Sequence, residues 1–205
     1  MLLALLLACR LQSQKEALPF YNTPDFTPQW LTPDDDAYDS IHTIAPFSFV
    51  NQDGNTITNE SVKGKVYVAS FFFTRCGSIC PKMNANLKAV ADSFAGNPAV
   101  LLLSHSVTPD IDSVPRLAHY AAQHRINASN WWLLTGNQDA IYSLARRSYF
   151  ADEATGYNKG NDEFLHTENA VLVDQKGRIR GVYNATLALE MEKLVKHIHL
   201  LLEEY

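Results

Sequence analysis

The sequence is 205 residues long, which is enough for one domain and an N-terminal tail. Hydrophobic residues make up 46% and charged residues 19%, as in a soluble globular domain with a buried core. The net charge of −5 and the lack of a basic run argue against nucleic acid as a partner, and three cysteines are too few for a disulfide-stapled scaffold.

The first nine residues form an apolar run that ends in Cys9. The run is far shorter than the ~20 residues that span a bilayer, but it has the length of the apolar part of a secretory signal. Leu6-Leu7-Ala8-Cys9 resembles the lipobox of bacterial lipoproteins, where cleavage precedes a cysteine that is then lipidated. We expect residues 1–9 to be such a signal, with Cys9 as the lipidation site. The alternatives are an ordinary signal peptide and an incidental cysteine.

Either kind of signal would place the mature protein outside the cytoplasm, in the periplasm or cell envelope. A lipid on Cys9 would tether it to a membrane. A thiol pair in that compartment has to be kept reduced, occupied by metal, or oxidised by design.

Residues 10–40 predict an extended arm, because four prolines interrupt them and three consecutive aspartates end them. Their aromatic residues indicate that the arm partly packs on the domain, which we expect to span residues 41–205. The domain should begin with a β-hairpin extension, since residues 42–50 alternate, 51–54 form a turn, and 56–58 can return as a strand.

Short apolar runs then alternate with helical patterns, which predicts an α/β fold. Three runs are typical of buried strands: 66–73, 99–104 and 131–135. Helical periodicity follows each of them, over 81–94, 112–124 and 138–149. After a polar loop long enough to be functional come a hairpin and a final helix: loop 151–163, strands 170–173 and 179–183, helix 187–202.

This order of elements is that of a thioredoxin-like fold, a central mixed sheet flanked by helices. In that fold a loop that carries cysteine joins a central strand to its helix, and Cys76 and Cys80 lie at that junction here. With Cys80 in the first helical turn and Cys76 in the loop, both sulfur atoms can face one point. The helix N-terminus favours thiolates, which bind soft metals and also attack disulfides.

Two functions therefore compete at the cysteine pair, copper binding and thiol–disulfide exchange. In the exchange, Cys76 would attack as the more exposed thiolate and Cys80 would resolve the mixed disulfide. A metal site needs further ligands, and His166 is the best candidate because it precedes a strand that passes near the cysteine loop in this fold. Two thiolates and an imidazole suit Cu(I), accept Cu(II), and would also hold Zn²⁺ with a water.

The other histidines are weaker candidates. His105 ends the second buried strand at the same edge of the sheet, but a role in the core is an equal alternative. The remaining candidates are His42 and four histidines within helices, which are expected at the surface or in grooves: His119, His124, His197 and His199.

Three blocks of the sequence, in order, resemble the Sco/SenC family. Residues 74–83, Thr-Arg-Cys-Gly-Ser-Ile-Cys-Pro-Lys-Met, resemble its copper motif, and residues 107–113 resemble its acidic segment after the next strand. His166 with residues 170–177 resembles its histidine-plus-hairpin block, and the likeness runs from about Ile44 to the C-terminus.

The resemblance implies a thioredoxin-like fold with one copper per chain, bound by Cys76, Cys80 and His166. It also implies a role in supplying copper to, or reducing, the dinuclear copper centre of cytochrome c oxidase. The partner would be the copper-accepting subunit of the oxidase or another copper protein. Family members often carry Asp before the histidine, whereas Leu165 stands here, so another residue would have to orient the imidazole.

Asp112 matches an acidic position that the family places near the copper motif. It could orient a ligand or meet a partner, or it could simply stabilise the start of a helix. Two other classes also share the fold. One is a peroxidase of the peroxiredoxin or glutathione peroxidase kind, although these lack the Cys-x-x-x-Cys-Pro pairing with a distant histidine. The other is a protein with a structural Cys76–Cys80 disulfide, which would add little stability across so short a loop.

Overall fold

The computed structural model describes residues 17–127, 129–151 and 167–204. Within these ranges there are nine strands: β1 (Phe20–Tyr21), β2 (Pro28–Gln29), β3 (Ser48–Asn51), β4 (Thr56–Thr58), β5 (Val66–Phe72), β6 (Val100–Ser106), β7 (Trp131–Thr135), β8 (Asn169–Val173) and β9 (Ile179–Asn184). The same residues form five α-helices: α1 (Asn59–Val62), α2 (Ile79–Ser93), α3 (Val114–His124), α4 (Gln138–Arg147) and α5 (Ala188–Leu202). None of the helices in these ranges combines the length and hydrophobicity needed to cross a membrane.

Seven strands form one mixed sheet in the spatial order β4-β3-β7-β6-β5-β8-β9, and β1 and β2 form a separate antiparallel pair. Strands β5, β6 and β7 are parallel, and the pairs at both flanks are antiparallel. All seven residues of β5 are buried, as expected for a central strand covered on both faces. The predicted thioredoxin-like fold, with helices flanking a central mixed sheet, is confirmed.

Alternate residues of β5 point to opposite faces of the sheet and divide the core in two. Val68 and Phe72 belong to the core that contains the buried residues of α2, α3 and α5. Tyr67 and Phe71 belong to the other core, which contains those of α4 and the β3–β4 hairpin. The cysteine loop therefore opens on the face covered by α2 and α3.

The predicted strand over residues 42–50 is only partly correct, because β3 begins at Ser48. Before it, Thr43 forms only an isolated bridge with Arg178, and the N–H of Ile44 donates to the carbonyl oxygen of Gly177 at 2.8 Å. Two further N–H groups bond to side chains instead of a strand. The N–H of Ala45 donates to Ser148 Oγ at 2.7 Å, and that of Phe47 donates to Asn59 Oδ1 at 2.7 Å. An alternating sequence does not reveal these irregular contacts. The short elements β1, β2 and α1 were not predicted either.

The two ends of the sheet are referred to below as the upper and lower edges. The upper edge contains the last residues of β5 and β6 and the loop that carries Cys76. Because β8 runs opposite to β5 and places Val173 beside Tyr67, the turn after β8 lies at the lower edge. The end of α5 lies there too, since Gln175 Nε2 donates to the carbonyl oxygen of Leu201 at 3.2 Å.

The N-terminal segment packs beside β9. Leu18 and Phe20 are buried, with 5% and 3% of their surface exposed. The Arg180 guanidinium donates hydrogen bonds to the carbonyl oxygens of Leu18, at 2.8 Å, and Pro19, at 3.2 Å. The arm is thus held by backbone contacts as well as by burial.

Candidate metal and thiol site

Cys76 and Cys80 lie between the central strand and the helix that follows it. Cys76 is in the loop after β5, and Cys80 is the second residue of α2. Cys80 is only 3% exposed and packs in the core with Met83, whereas Cys76 is half-buried. The backbone N–H of Cys80 donates to Cys76 Sγ at 3.4 Å, and both cysteines are free thiols. The fold thus brings a reachable thiol against a covered one.

The two thiols have opposite tendencies to ionise. Burial opposes ionisation of Cys76, but it is outweighed by hydrogen bonds from the Cys80 thiol and from backbone N–H groups of Cys80, Ser78 and Ile79, so the pKa of Cys76 is lowered. Burial raises the pKa of Cys80, and donation of its thiol hydrogen to Cys76 adds to the effect. The pair therefore holds its first negative charge on Cys76.

Asp112 is fully buried and ties the start of the cysteine loop to β6. Its Oδ2 accepts from the backbone N–H of Thr74 at 3.1 Å, from Ser106 Oγ at 2.6 Å and from Thr108 Oγ1 at 3.1 Å. Its Oδ1 accepts from Thr74 Oγ1 at 2.5 Å. Because α3 begins at Val114 with Ser113 as its N-cap, Asp112 lies before the helix and acts chiefly on the loop.

Arg116 completes this network from the first turn of α3. Its Nε donates to Thr74 Oγ1 at 2.6 Å and lies 3.3 Å from Asp112 Oδ1. Thr74, two positions before Cys76, is therefore held through its backbone and its side chain. Sequence reasoning missed Thr74 and Arg116. The sequence carries no local signal for this network, because Asp112 lies before the helix and Thr74 is 38 positions away from it.

Tyr120, one further turn along α3, was also missed. It is buried, its ring centroid lies 5.5 Å from that of Phe72, and its hydroxyl accepts a hydrogen bond from Asn84 Nδ2. Burial raises the pKa of Tyr120 to about 12, and negative charge at Cys80 acts in the same direction. Tyr120 thus remains a neutral phenol in the same core as Cys80.

His166 and Cys9, two of the predicted functional residues, lie outside the described residues. His105 is described, and it belongs to the core on the opposite face of the sheet from Cys80. It is fully buried against Phe71, with ring centroids 5.3 Å apart, and neither of its ring nitrogens has a hydrogen-bond partner among the described residues. His105 is therefore a core residue and is not brought to the cysteine pair.

The remaining histidines also lie apart from the cysteines or have other contacts. His119 and His124 are exposed on α3, and His199 is exposed on α5. His42 Nε2 lies 2.8 Å from the carbonyl oxygen of Ser148, and His197 Nδ1 lies 2.6 Å from the Tyr183 hydroxyl. In the part of the chain that the structure describes, no three His, Cys, Asp or Glu residues form a group that could hold a metal ion.

The chemistry of the pair fits a soft metal ion. Two sulfur donors meet at the N-terminus of α2, and one of them is already biased towards the thiolate by backbone N–H groups. Thiolates are the ligands that select copper in its reduced state. The same arrangement, a half-buried thiol with a lowered pKa beside a buried thiol with a raised pKa, also fits dithiol exchange.

Comparison with known proteins finds a family model and several solved structures that are similar to this chain. A family model described as SCO1/SenC matches residues 35–203. The chain is similar to a SCO1/SenC family lipoprotein from Bacillus anthracis str. Ames, with 28% identity and a TM-score of 0.68 over 78% of this chain and 95% of that one. It is also similar to BsSco, a member of the Sco family of cytochrome c oxidase assembly proteins in which a disulfide switch has been identified. There the identity is 29% and the TM-score 0.65, over 78% of this chain and 93% of that one.

A third similar structure is that of Arabidopsis thaliana ScoI with copper bound. It shares 27% identity with this chain, with a TM-score of 0.59 over 76% of this chain and 97% of that one.

Proposed function

The chain belongs to the SCO1/SenC family, and from this premise we propose that it is a copper-binding chaperone that serves the dinuclear copper centre of cytochrome c oxidase. The observation that carries the proposal is the convergence of two thiols, Cys76 and Cys80, at the start of α2, with a thiolate favoured on Cys76. Copper bound to Arabidopsis ScoI and the oxidase-assembly role of the family of BsSco support it.

Cys76, Cys80 and His166 are the proposed ligands of one copper ion. Two thiolates and one imidazole form a donor set that holds Cu(I) and accepts Cu(II). Copper is the cargo, and it would leave by ligand exchange, as the thiolates of the acceptor replace those of Cys76 and Cys80 one at a time. Cys76 is the sulfur that a partner can reach first, because Cys80 is covered by the core.

Asp112 is proposed to position the site without binding the metal. Its carboxylate accepts from both the N–H and the hydroxyl of Thr74, so it fixes the backbone two residues before Cys76. A carboxylate that is fully buried cannot meet a partner directly. The proposed role is therefore to hold the cysteine loop in place as ligands are exchanged.

The proposed location is outside the cytoplasm, at a membrane. Residues 1–9 would be the signal and Cys9 the lipidated residue, followed by the arm of residues 10–40 and the copper domain of residues 41–205. The lipoprotein from Bacillus anthracis, of which this chain covers 95%, supports the tether.

A second function is favoured by the unequal acidity of the two thiols, namely reduction of a partner disulfide. The Cys76 thiolate would attack one partner sulfur, form a mixed disulfide and release the other partner sulfur as a thiolate. Cys80, after losing its proton, would then attack the Cys76 sulfur, which frees the second partner thiol and leaves a Cys76–Cys80 disulfide. Two electrons pass to the partner, and an external thiol reductant restores the pair. The disulfide switch identified in BsSco supports this alternative.

The substitution His166→Ala separates the two functions, because metal binding needs the imidazole and dithiol exchange does not. As a copper chaperone, the variant should lose tight copper binding while still reducing a small disulfide at the wild-type rate. His199→Ala removes an exposed histidine from α5 and serves as the matched control. Copper affinity that survives His166→Ala would contradict the three-ligand site.

A further inference from the structure

The N-terminal arm is clamped to the domain by one buried arginine. Arg180 is 2% exposed, donates to the carbonyl oxygens of Leu18 and Pro19, and lies 4.2 Å from the centroid of the Phe20 ring. Arg180 Nη1 also forms ion pairs with Glu204 Oε1 at 2.9 Å and with Asp174 Oδ2 at 3.3 Å. Release of the arm would leave donors of a buried guanidinium without their two carbonyl acceptors, which is unfavourable in free energy. These hydrogen bonds therefore keep the arm attached to the domain.

The clamp lies at the lower edge of the sheet, and the thiol pair lies at the upper edge. Arg180 projects from the start of β9, beside the turn after β8 and the end of α5, which carries Glu204. Cys76 follows the last residue of β5. The seven residues of β5 separate the two edges by about 20 Å at ~3.3 Å per residue.

The same edge presents an exposed aromatic residue. Trp30 has 64% of its surface exposed, and its indole N–H donates to the carbonyl oxygen of Ala17 at 3.3 Å. Ala17, Trp30 and Lys176 line one open cavity of about 450 Å³. Tryptophan is enriched where protein meets the headgroup layer of a membrane. The aspartates at 34–36 follow closely in sequence, and an anionic membrane surface would repel their negative charge. The charge pattern therefore favours a membrane surface of zwitterionic lipids.

We propose that the clamped arm directs the lower edge, with Trp30, towards the membrane and so holds Cys76 and Cys80 on the side that faces away from it. This inference rests on the proposed attachment at Cys9, and it concerns residues 17–34, which precede the region that the SCO1/SenC family model matches. If the proposal holds, the thiol pair lies at least the height of the sheet away from the lipid surface. The copper site of the acceptor must then lie at a similar distance from the lipid.

The length of the tether supports this orientation. Eight residues lie between Cys9 and Leu18, so nine Cα–Cα steps join them (18 − 9), and a flexible chain of nine steps has a root-mean-square end-to-end distance of about 17 Å. Full extension reaches only about 30 Å. To bring the thiol edge against the lipid, the tether would have to pass along the whole sheet and the loops at both ends, which requires nearly full extension and costs entropy.

Fluorescence quenching by brominated phosphatidylcholine in vesicles tests the orientation. The full chain with Cys76→Ser and Cys80→Ser is coupled through Cys9, then its only thiol, to a maleimide lipid in these vesicles. One probe is native Trp30, measured against Trp30→Phe. The other is Ser78→Trp in the Trp30→Phe chain, which places an indole in the exposed cysteine loop. Vesicles without bromine give the unquenched intensity of each variant, and the Trp30→Phe chain gives the contribution of the buried Trp131 and of Trp132, which all variants share.

Quenching of Trp30 should exceed that of Ser78→Trp by at least about twofold. Equal quenching, stronger quenching of Ser78→Trp, or no quenching of Trp30 would each overturn the proposal. The lipid is supplied chemically, so the result does not depend on lipidation in cells. Copper binding is measured separately on the untethered chain with its native cysteines, so the failure of one proposal is distinguishable from that of the other.

Discussion

Acidification tests the environment of His105, which is buried and has no hydrogen-bond partner among the residues that the structure describes. The residue is fully buried among aromatic rings, with centroids 5.5 Å from Phe49 and 5.8 Å from Tyr149. Neither ring nitrogen bonds to any described residue, so none of these residues stabilises an imidazolium ion there. Burial lowers the pKa of His105 to about 3.

The direction of the effect follows from proton uptake. The unfolded chain binds a proton at His105 below its ordinary pKa of about 6.5, whereas the folded chain does so only near pH 3. Stability is therefore complete above pH 6.5 and declines as the pH falls towards 3. Each pH unit in that window costs about 1.4 kcal/mol, so His105 alone should cost about 2 kcal/mol between pH 7.5 and 5.0.

Urea unfolding of the wild type and of His105→Leu at the two pH values isolates this contribution. Leucine has a similar volume and cannot titrate, so the stability difference between the proteins should move by about 2 kcal/mol in favour of the variant at pH 5.0. His199→Leu, at an exposed position, should show no such change. A difference that is independent of pH would refute the assignment of His105 as a buried neutral residue.

The remaining predictions concern the cysteine loop. Asp112→Asn should lower the free energy of unfolding, measured in urea, by about 2–4 kcal/mol. In either orientation of the new amide, its N–H₂ group faces a fixed donor, which is the N–H of Thr74 or Nε of Arg116. An unchanged unfolding midpoint would show that the network does not contribute to stability. In the reduced metal-free protein at pH 7, iodoacetamide should modify Cys76 before Cys80, as followed by mass spectrometry, because the pKa of Cys76 is lowered and that of Cys80 is raised. Equal rates at both cysteines would contradict the assignment of charge within the pair.

The strand–helix junction could be predicted because its signals are local. A continuous apolar run indicated β5, and helical periodicity after Pro81 indicated α2, although the helix begins slightly earlier, at Ile79. The α/β class followed from such local patterns, and the position of the cysteines at this junction indicated the thioredoxin-like topology. Placing Cys80 in the first turn and Cys76 in the loop needed no information from distant residues.

The surroundings of the cysteines could not be predicted, because they depend on contacts across the fold. Thr74 meets Asp112 over a separation of 38 positions, and Asn84 meets Tyr120 over 36. The placement of His105 was ambiguous for another reason. All residues of β6 are buried, so its sequence carries no alternation to tell which face of the sheet His105 occupies.

Copper content after anaerobic reconstitution tests the central claim most directly. The wild type should bind one copper per chain. Cys76→Ser, Cys80→Ser and His166→Ala should each lose it, while Cys9→Ser, which removes the remaining cysteine, should keep it. Full copper content in any of the first three variants, or loss of copper in Cys9→Ser, would contradict the site.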